Sequence, residues 1–331
     1  MSKAKTIILG ASHWHVPLCA ERIAERHDVV GVSDPDPSHT EHLARLWDAP
    51  LYPSWQDALA AHGDPELAYV FVPHDEMREV CLALVARGIP IVVEKPAGVS
   101  LSELVDVRVA ADAAGVPIAV TLVQRGGPTD RWLAKAGPAV YESTQFIAGP
   151  PDRYLANGSP WMVDLGRAGG GCMVNLAPHF VDLFLRSAGA QDAVVTAALS
   201  STLHGRSIED YACMTMTTAD GRIGTIEVGY AFPGSPLKRH CSFTRIGSAG
   251  IATIWSDGNA SFTSVDGVTQ TALLVVDSDP LYATFVDQVA EQLGRGFPDL
   301  PRIGDLETTM AVIWDAYAYG RQESPHPQSK R

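Results

Sequence analysis

A lysine stands directly after a strand-like run in the tripeptide Glu94-Lys95-Pro96. The preceding residues, 89–93, are apolar and mostly β-branched, which predicts a buried strand. Ligands of open α/β sheets bind at the carboxyl ends of strands, so Lys95 is placed where a cation could meet an alcohol or a cofactor. The fixed backbone of Pro96 would hold it there. A surface lysine at a turn is the alternative interpretation, and the neighbouring sequence decides between the two.

Length and composition favour a compact, soluble, two-domain chain. With 331 residues, the chain exceeds the usual size of a single-core domain. Hydrophobic residues make up 46% of it and charged residues 19%, and no apolar run is long enough to span a bilayer. The first residues lack the apolar core of a signal peptide, so we expect a cytoplasmic protein without a membrane partner.

Charge and cysteine usage narrow the function further. The formal net charge of −13 disfavours binding to a phosphate backbone, so no nucleic-acid partner is expected. The five cysteines are scattered and show no Cys-x-x-Cys spacing, which disfavours structural zinc and a disulfide framework. A small uncharged or weakly polar substrate fits this composition better.

The first 34 residues have the order of a dinucleotide-binding unit. A strand at 6–9 leads into a turn, a helix extends to about Arg26, and a second strand at 29–32 ends near Asp34. Gly10 would let a pyrophosphate approach the amides of the helix. The glycine fingerprint is incomplete, because Ser12 stands in place of its second glycine and His15 in place of its third.

The turn and the acid after the second strand supply the candidate cofactor contacts. Ser12 could cap the helix and bond a phosphate oxygen, and we expect His13, Trp14 and His15 to line the turn. Asp34 follows Gly10 at close to the ~20-residue spacing of an acid that binds the ribose diol. Its charge would repel a 2′-phosphate and favours NAD over NADP. The alternative for Asp34 is a plain acidic turn.

No metal site is expected. His13 and His15 are separated by one residue, but the sequence around them offers no carboxylate or third histidine. We therefore assign both histidines to the lining of the cofactor turn.

The rest of the chain changes character after Arg125. Strand and helix patterns alternate as far as residue 120, which predicts a mainly parallel sheet covered by helices. Segments 211–218 and 222–230 alternate in polarity across a short turn, which predicts an antiparallel sheet. The expected fold is therefore α/β plus α+β, with the boundary between the domains near residues 121–128.

A second group of candidate residues follows the triglycine 169–171. If a helix begins near Asn175, its apolar residues form a buried stripe, and Asn175 and His179 lie one turn apart on the other face. A histidine there can take a proton from a substrate alcohol while hydride leaves the carbon. The alternative is a helix that Asn175 caps and whose polar face is merely solvated.

Taken together, these segments resemble the Gfo/Idh/MocA (glucose-fructose oxidoreductase and inositol dehydrogenase) family over essentially the whole chain. The resemblance implies an N-terminal doubly wound Rossmann domain, 1–122, and a substrate-binding and oligomerisation domain, 123–331, on a large, mainly antiparallel open sheet. The residues and segments that carry it are Gly10 to His15, Gly31 to Asp34, Val72-Pro73-His74, Glu94-Lys95-Pro96, Gln124-Arg125, the triglycine with His179 and Asp182, and the apolar stretch 312–316.

The resemblance also implies roles for single residues. Lys95 would bond both the cofactor and the substrate hydroxyl, and His179 matches the family's catalytic histidine. Asn175 stands where many members have an aspartate, and an amide stabilises an imidazolium less well than a carboxylate does. The remaining implied contacts are Pro73, His74, Glu94 and Arg125 with the cofactor, and Tyr154, Trp161 and Arg167 with the substrate. For those last three, ordinary packing is an equal alternative. A cis peptide bond is expected before Pro96.

The sequence thus predicts an NAD-dependent oxidoreductase acting on a secondary alcohol of a sugar, inositol or related polyol. A homodimer or homotetramer is expected. Two alternatives stay open: a non-catalytic nucleotide-binding sensor with the same fold, and an enzyme that keeps its cofactor bound for internal redox cycling. The polar residues 323–331 are expected to form a disordered tail.

Overall fold

The computed structural model describes residues 3–322, to which every structural statement below is confined. The first sheet has six parallel strands in the order β3-β2-β1-β4-β5-β6 over these residues. They are β1 Ala4–Leu9, β2 His27–Ser33, β3 Leu51–Tyr52, β4 Leu67–Val70, β5 Ile91–Val93 and β6 Ile118–Val120. The helices that alternate with them are α1 Val16–Arg26, α2 Glu41–Trp47, α3 Trp55–Ala61, α4 His74–Ala86 and α5 Leu101–Ala114. The expected doubly wound parallel sheet is confirmed.

The sheet reverses its winding between β1 and β4, and this switch point is where such folds bind ligands. Both strands are buried apolar runs, since residues 6–9 and 67–70 are almost inaccessible to solvent. Helix α5 shows residues suited to beginning and ending a helix. Ser100 caps α5 by accepting the amide N–H of Glu103, and Gly115 ends that helix in the left-handed conformation.

The second sheet is antiparallel except where β7 pairs with β10. Over residues 3–322 its eight strands have the order β14-β13-β12-β11-β7-β10-β9-β8, which confirms the large, mainly antiparallel sheet. They are β7 Ala139–Ala148, β8 Val194–Ser200, β9 Tyr211–Thr217, β10 Ile223–Tyr230, β11 Arg239–Gly247, β12 Gly250–Trp255, β13 Asn259–Ser264 and β14 Thr269–Leu273. The remaining helices are α6 Pro128–Leu133, α7 Asp152–Ala156, α8 Leu165–Ala168, α9 Cys172–Leu176, α10 Pro178–Ala188, α11 Asp279–Gln292 and α12 Ile303–Gln322.

The chain divides into two compact units, and each is assembled from separate stretches of sequence. The first unit takes in the chain up to Arg125 together with 151–170 and 277–307. The second takes in 126–150, 171–276 and the chain from Thr308. These units differ from the contiguous domains 1–122 and 123–331 expected from the sequence, because two later segments return to the first unit. One of them supplies Tyr282, Phe285 and Val289 of α11 to the core that includes α1.

The helix expected from Asn175 is interrupted. Asn175 lies inside α9, and α10 begins only at Pro178, a residue that suits the first position of a helix. Asn175 and Asp182 are buried, so the alternative of a merely solvated polar face does not hold at these two residues. The predicted apolar stripe is confirmed, since all of its members are buried: Leu176, Phe180, Leu183 and Phe184. Ser12 does not cap α1, which begins at Val16 after His15.

Across residues 3–322, no helix combines the length and apolarity needed to span a membrane. The tail at 323–331 lies outside the described residues. Assembly into a dimer or tetramer stays a prediction.

Candidate cofactor and catalytic site

The turn after β1 has a backbone that only glycine suits. Gly10 has a φ of +87°, and a Cβ built there would lie 2.5 Å from the amide nitrogen of Val72, at the end of β4. The amides of Gly10 and Ala11 both donate to the Ser33 carbonyl, at 2.9 and 3.1 Å, which ties the turn to β2. The turn therefore leaves an unhindered backbone at the switch point, as a bound pyrophosphate requires.

A cavity of about 530 Å³ opens beside this turn, and its lining belongs entirely to the first unit. Gly10 and Ser12 contribute the turn, and the end of β4 contributes Phe71, Val72 and Pro73. Four carboxylate residues also line it: Asp34, Asp36, Glu76 and Glu79. A cavity of this size with a glycine turn fits part of a dinucleotide, and its acidic lining disfavours a 2′-phosphate.

Asp34 holds the turn as well as facing the cavity. Its Oδ2 accepts the Ser12 amide at 2.6 Å, and its Oδ1 accepts the Asp36 amide at 2.9 Å. Burial raises the pKa of the carboxyl, and these backbone hydrogen bonds oppose the rise. Each carboxylate oxygen keeps a second lone pair with which to accept a ribose hydroxyl.

Replacing Asp34 with asparagine is expected to weaken NADH binding about tenfold. The amide keeps the shape but loses charge-assisted hydrogen bonds, which are typically worth about 1.5–3 kcal/mol. Affinity for NADPH should stay constant or improve, because the repulsion of the 2′-phosphate is reduced. Fluorescence titration with both cofactors measures this, with Asp28→Asn, at an exposed residue of the strand β2 that precedes Asp34, as the matched control. Equal losses for NADH and NADPH would contradict the ribose contact.

His13, His15 and Glu94 form a buried group at the same turn. One ring nitrogen of each histidine and one carboxylate oxygen of Glu94 all lie within 4.8 Å of one another, and His15 Nδ1 is 3.0 Å from Glu94 Oε1. Burial lowers the pKa of both imidazoles well below their usual range, so both rings are neutral. The sequence did not reveal this group, because Glu94 is distant from the histidines along the chain.

Two histidines and a carboxylate could also hold a divalent cation. Positive charge nearby argues against one, since Lys95 disfavours further positive charge at both rings and Arg153 does so at His15. We therefore expect NADH affinity and thermal stability to survive dialysis against EDTA and to be unaffected by added Zn²⁺. Titrations and melting curves check this. Loss of either property on chelation, restored by Zn²⁺, would contradict it.

Lys95 follows β5 and is almost completely buried. The cis peptide bond expected before Pro96 is present. Burial lowers the pKa of Lys95 to about 8, although the neighbouring Glu94 carboxylate opposes this shift and Arg153 adds to it. A lysine with that pKa can exchange a proton near neutral pH, which an ordinary surface lysine cannot do.

Segment 151–170, which connects β7 to α9 in sequence, packs on the cofactor turn within the first unit. The Ser159 hydroxyl donates to the Ser12 carbonyl at 2.8 Å, and His74 Nδ1 donates to the Ala168 carbonyl at 2.8 Å. The Trp161 ring lies 4.7 Å from that of His74 and 5.7 Å from that of His13. Trp161 also lines the cavity beside the Gly10 turn.

The other two residues assigned to the substrate also lie in this segment. Tyr154 is fully buried, with its ring 5.8 Å from that of Trp14. Arg167 lines the cavity and forms ion pairs with Asp75 at 3.1 Å and Glu76 at 2.6 Å. A substrate contact for Tyr154, Trp161 and Arg167 stays a prediction, and the structure gives each of them a packing or ion-pair role.

Of the remaining predicted cofactor contacts, only Pro73 lines the cavity. His74 is buried at the start of α4 beneath Trp161. Arg125 forms an ion pair with Asp305, with a distance of 3.1 Å between Nη1 and Oδ2. Their contact with the cofactor is still a prediction.

The second unit carries Asn175 and His179. Asn175 is buried and its Nδ2 donates to the Tyr230 hydroxyl at 3.2 Å, while His179 is half-buried on α10. The sequence analysis missed Glu209, whose carboxylate accepts the amides of Gly171 and Met173 at 2.8 and 2.9 Å. Burial raises the pKa of Glu209. This acid fixes the backbone that enters the helix carrying Asn175.

Comparisons with known proteins agree with this architecture. The model of an oxidoreductase family with an NAD-binding Rossmann fold matches residues 7–122, and the GFO/IDH/MocA C-terminal domain matches residues 140–253. The chain belongs to the Gfo/Idh/MocA family. The family member described here is therefore an NAD-binding oxidoreductase, with the Rossmann domain at its amino end.

Individual relatives are distant in sequence. A trans-1,2-dihydrobenzene-1,2-diol dehydrogenase from Mus musculus is 24% identical over 70% of this chain and 69% of its own length. A levoglucosan dehydrogenase solved with NADH and levoglucosan has a TM-score of 0.82 at 15% identity, covering 98% of each chain. An inositol dehydrogenase homologue from Azotobacter vinelandii, solved with NAD⁺, has a TM-score of 0.78 at 15% identity, covering 97% of this chain and 96% of its own. These structures share the fold.

Proposed function

We propose that this family member oxidises a secondary alcohol of a cyclic polyol or sugar with NAD⁺, and reduces the matching ketone with NADH. The observation that carries the proposal is Lys95, a buried lysine with a pKa lowered to about 8. It follows a strand of the cofactor-binding sheet, at the edge where such sheets bind ligands.

The cofactor fits the residues that are present. The Gly10 turn would hold the pyrophosphate, since any Cβ there would occupy the space of the backbone at Val72. Asp34 would accept the ribose hydroxyls. When bound, NAD⁺ supplies the acceptor for the hydride that leaves the carbinol carbon.

Lys95 would accept and return the hydroxyl proton of the substrate. As the neutral amine, its Nζ accepts the hydroxyl proton while the carbon–oxygen double bond forms and the hydride departs with its electron pair. In the reverse reaction, the ammonium returns that proton to the alcohol oxygen. Glu94, adjacent in the chain, stabilises the ammonium form.

His179 and Asn175, both in the second unit, would be further groups for the proton and the substrate hydroxyl. The Tyr230 hydroxyl accepts the amide N–H of Asn175, which fixes the side chain of Asn175. An asparagine remains neutral, so it can orient a histidine but cannot match the stabilisation an aspartate gives to imidazolium.

The relatives support the substrate class. Dihydrobenzenediol, inositol and levoglucosan, in the names of three of them, are all ring compounds with secondary hydroxyl groups. The acidic cavity also fits a neutral substrate and NAD better than a phosphorylated one.

A panel of inositols, sugars, sugar lactols and trans-dihydrodiols, each with NAD⁺, tests the proposal by the appearance of NADH absorbance. The corresponding ketones with NADH test the reverse direction. We expect turnover with at least one cyclic polyol, saturable in both reactants. NADH binding without absorbance change for any alcohol or ketone would instead favour the nucleotide-binding sensor.

A further inference from the structure

His15 stands where the dinucleotide turn usually has its third glycine, and its ring is buried with a specific set of partners. Nδ1 lies 3.0 Å from Glu94 Oε1, and the Tyr282 hydroxyl lies 3.0 Å from Nε2 and 3.1 Å from Nδ1. The rings of His15 and Tyr282 pack together with centroids 4.4 Å apart. All three side chains are almost inaccessible to solvent.

The chemistry of these groups fixes the direction of the hydrogen bonds. A neutral imidazole that faces a carboxylate must carry its proton on the nearer nitrogen, so Nδ1–H of His15 donates to Glu94. Nε2 is then an acceptor, and the Tyr282 hydroxyl donates to it. Burial keeps the pKa of His15 low and that of Tyr282 high, so both groups hold these protonation states near neutral pH.

We infer that His15 and Tyr282 are positioning residues for Lys95: their hydrogen-bond chain holds the carboxylate of the adjacent Glu94 in one place and so sets the pH at which Lys95 exchanges its proton. The inference rests on the proposed function, because it concerns the group assigned to proton transfer. It gives a chemical reason for a histidine where a glycine would ordinarily stand.

Glu94 depends on this support. Its Oε2 is buried and has no hydrogen-bond partner among the described residues, so the contact of Oε1 with His15 anchors the carboxylate. The carboxylate also stabilises the ammonium form of Lys95 electrostatically. The charged or titratable neighbours that interact with Lys95 include Glu94, Arg153, His13, His15 and His74.

Loss of these hydrogen bonds should therefore lower the pKa of Lys95. In His15→Phe the ring can still pack on Tyr282, but Glu94 loses its donor and turns away from Lys95. The ammonium is then less stabilised, and the pKa of Lys95 falls. Tyr282→Phe keeps His15 but frees its second tautomer, in which Nδ1 has no proton to donate to Glu94, so the fall should be smaller. His15→Gln supplies an N–H again and should restore part of the wild-type value.

The experiment titrates Lys95 directly by NMR of full-length protein labelled with ¹³C at the lysine ε-carbon. The chain has only six lysines, and the Lys95→Arg variant identifies the Lys95 signal. Tyr52→Phe is the matched control, because it removes another tyrosine–histidine hydrogen bond, to His62, elsewhere in the first unit. We expect the Lys95 proton dissociation constant to rise about tenfold in Glu94→Gln, by a several-fold factor in His15→Phe, less in Tyr282→Phe, and not at all in Tyr52→Phe.

Unchanged titration of Lys95 in folded His15→Phe and Tyr282→Phe protein would overturn the inference. If His15→Phe fails to fold, Tyr282→Phe and His15→Gln decide the matter by the same measurement. The readout needs no substrate, so it is separable from the proposed function. If the variants shift the Lys95 titration but the wild-type protein shows no turnover, only the dehydrogenase activity is refuted. If the wild-type protein is active but the variants leave the Lys95 titration unchanged, only the positioning role is refuted. In an active enzyme, the pH profile of kcat should move with the NMR titration.

Discussion

Lys95→Met is expected to lower kcat by about 10²–10⁴-fold while leaving NADH affinity within a few-fold of wild type. Methionine fills most of the volume of the lysine stem but cannot accept or return a proton. Binding should persist because the cavity that would hold the cofactor is lined by other residues. Steady-state kinetics and NADH fluorescence titration measure the two quantities separately.

The pH dependence of the wild-type enzyme should report the same lysine. Alcohol oxidation requires neutral Lys95, so its rate should rise with pH through about 8 and then level off. Ketone reduction requires the ammonium and should decline over the same range. Lys135→Met, at an exposed lysine of the second unit, is the control and should leave both profiles intact. A Lys95→Met variant with near-normal kcat would exclude the proposed proton transfer.

Gly10→Ala is expected to lower the free energy of unfolding by about 2–5 kcal/mol and to weaken NADH binding at least tenfold. An alanine held at the φ of +87° costs about 1–2 kcal/mol, and the clash of its Cβ with the backbone at Val72 adds about 1–3 kcal/mol. Any relief of that clash displaces the turn from β4, so the cofactor surface changes with it. Urea unfolding and NADH titration measure the two effects.

Control substitutions at two other glycines separate the cost of the positive φ from the cost of the Cβ clash. Gly88 has a φ of +70° with open space around it, so Gly88→Ala should show only the backbone cost of about 1–2 kcal/mol. Gly63 has neither a positive φ nor a neighbour within 4 Å, so Gly63→Ala should be neutral or slightly stabilising. If Gly10→Ala resembled Gly88→Ala in stability and retained NADH binding, the close approach at Val72 would not matter for the cofactor.

Local patterns in the sequence predicted the parallel sheet and the place of Lys95. The apolar runs at β1, β4 and β5 are buried on both faces, so their hydrophobicity alone indicates central strands. Asp34 was found by its distance from Gly10, since the strand–turn–helix–strand unit has a nearly fixed length. The antiparallel sheet followed from polarity that alternates with the pleat, as in β9.

Contacts between distant parts of the chain could not be predicted in this way. Nothing in the pattern of 277–307 shows that α11 packs beside α1, so Tyr282 could not be paired with His15. The resemblance implied a cofactor contact for Glu94 but not its bond to His15, because that bond joins residues 79 positions apart. Polarity alone left a solvated face open as the alternative for the helix of Asn175, yet both Asn175 and Asp182 are buried. Hydrogen bonding to Tyr230 offsets this burial for Asn175.

Deuterium transfer from the carbinol carbon to the cofactor tests the central claim most directly. Wild-type protein is incubated with NAD⁺ and a cyclic polyol from the panel that carries deuterium on its ring carbons, and the NADH formed is analysed by mass spectrometry. We expect NADH heavier by one deuterium, formed at similar rates by wild type and Lys135→Met and at least about 10²-fold more slowly by Lys95→Met. Absence of labelled NADH from wild-type protein that binds NAD⁺, across the whole panel, would contradict the account.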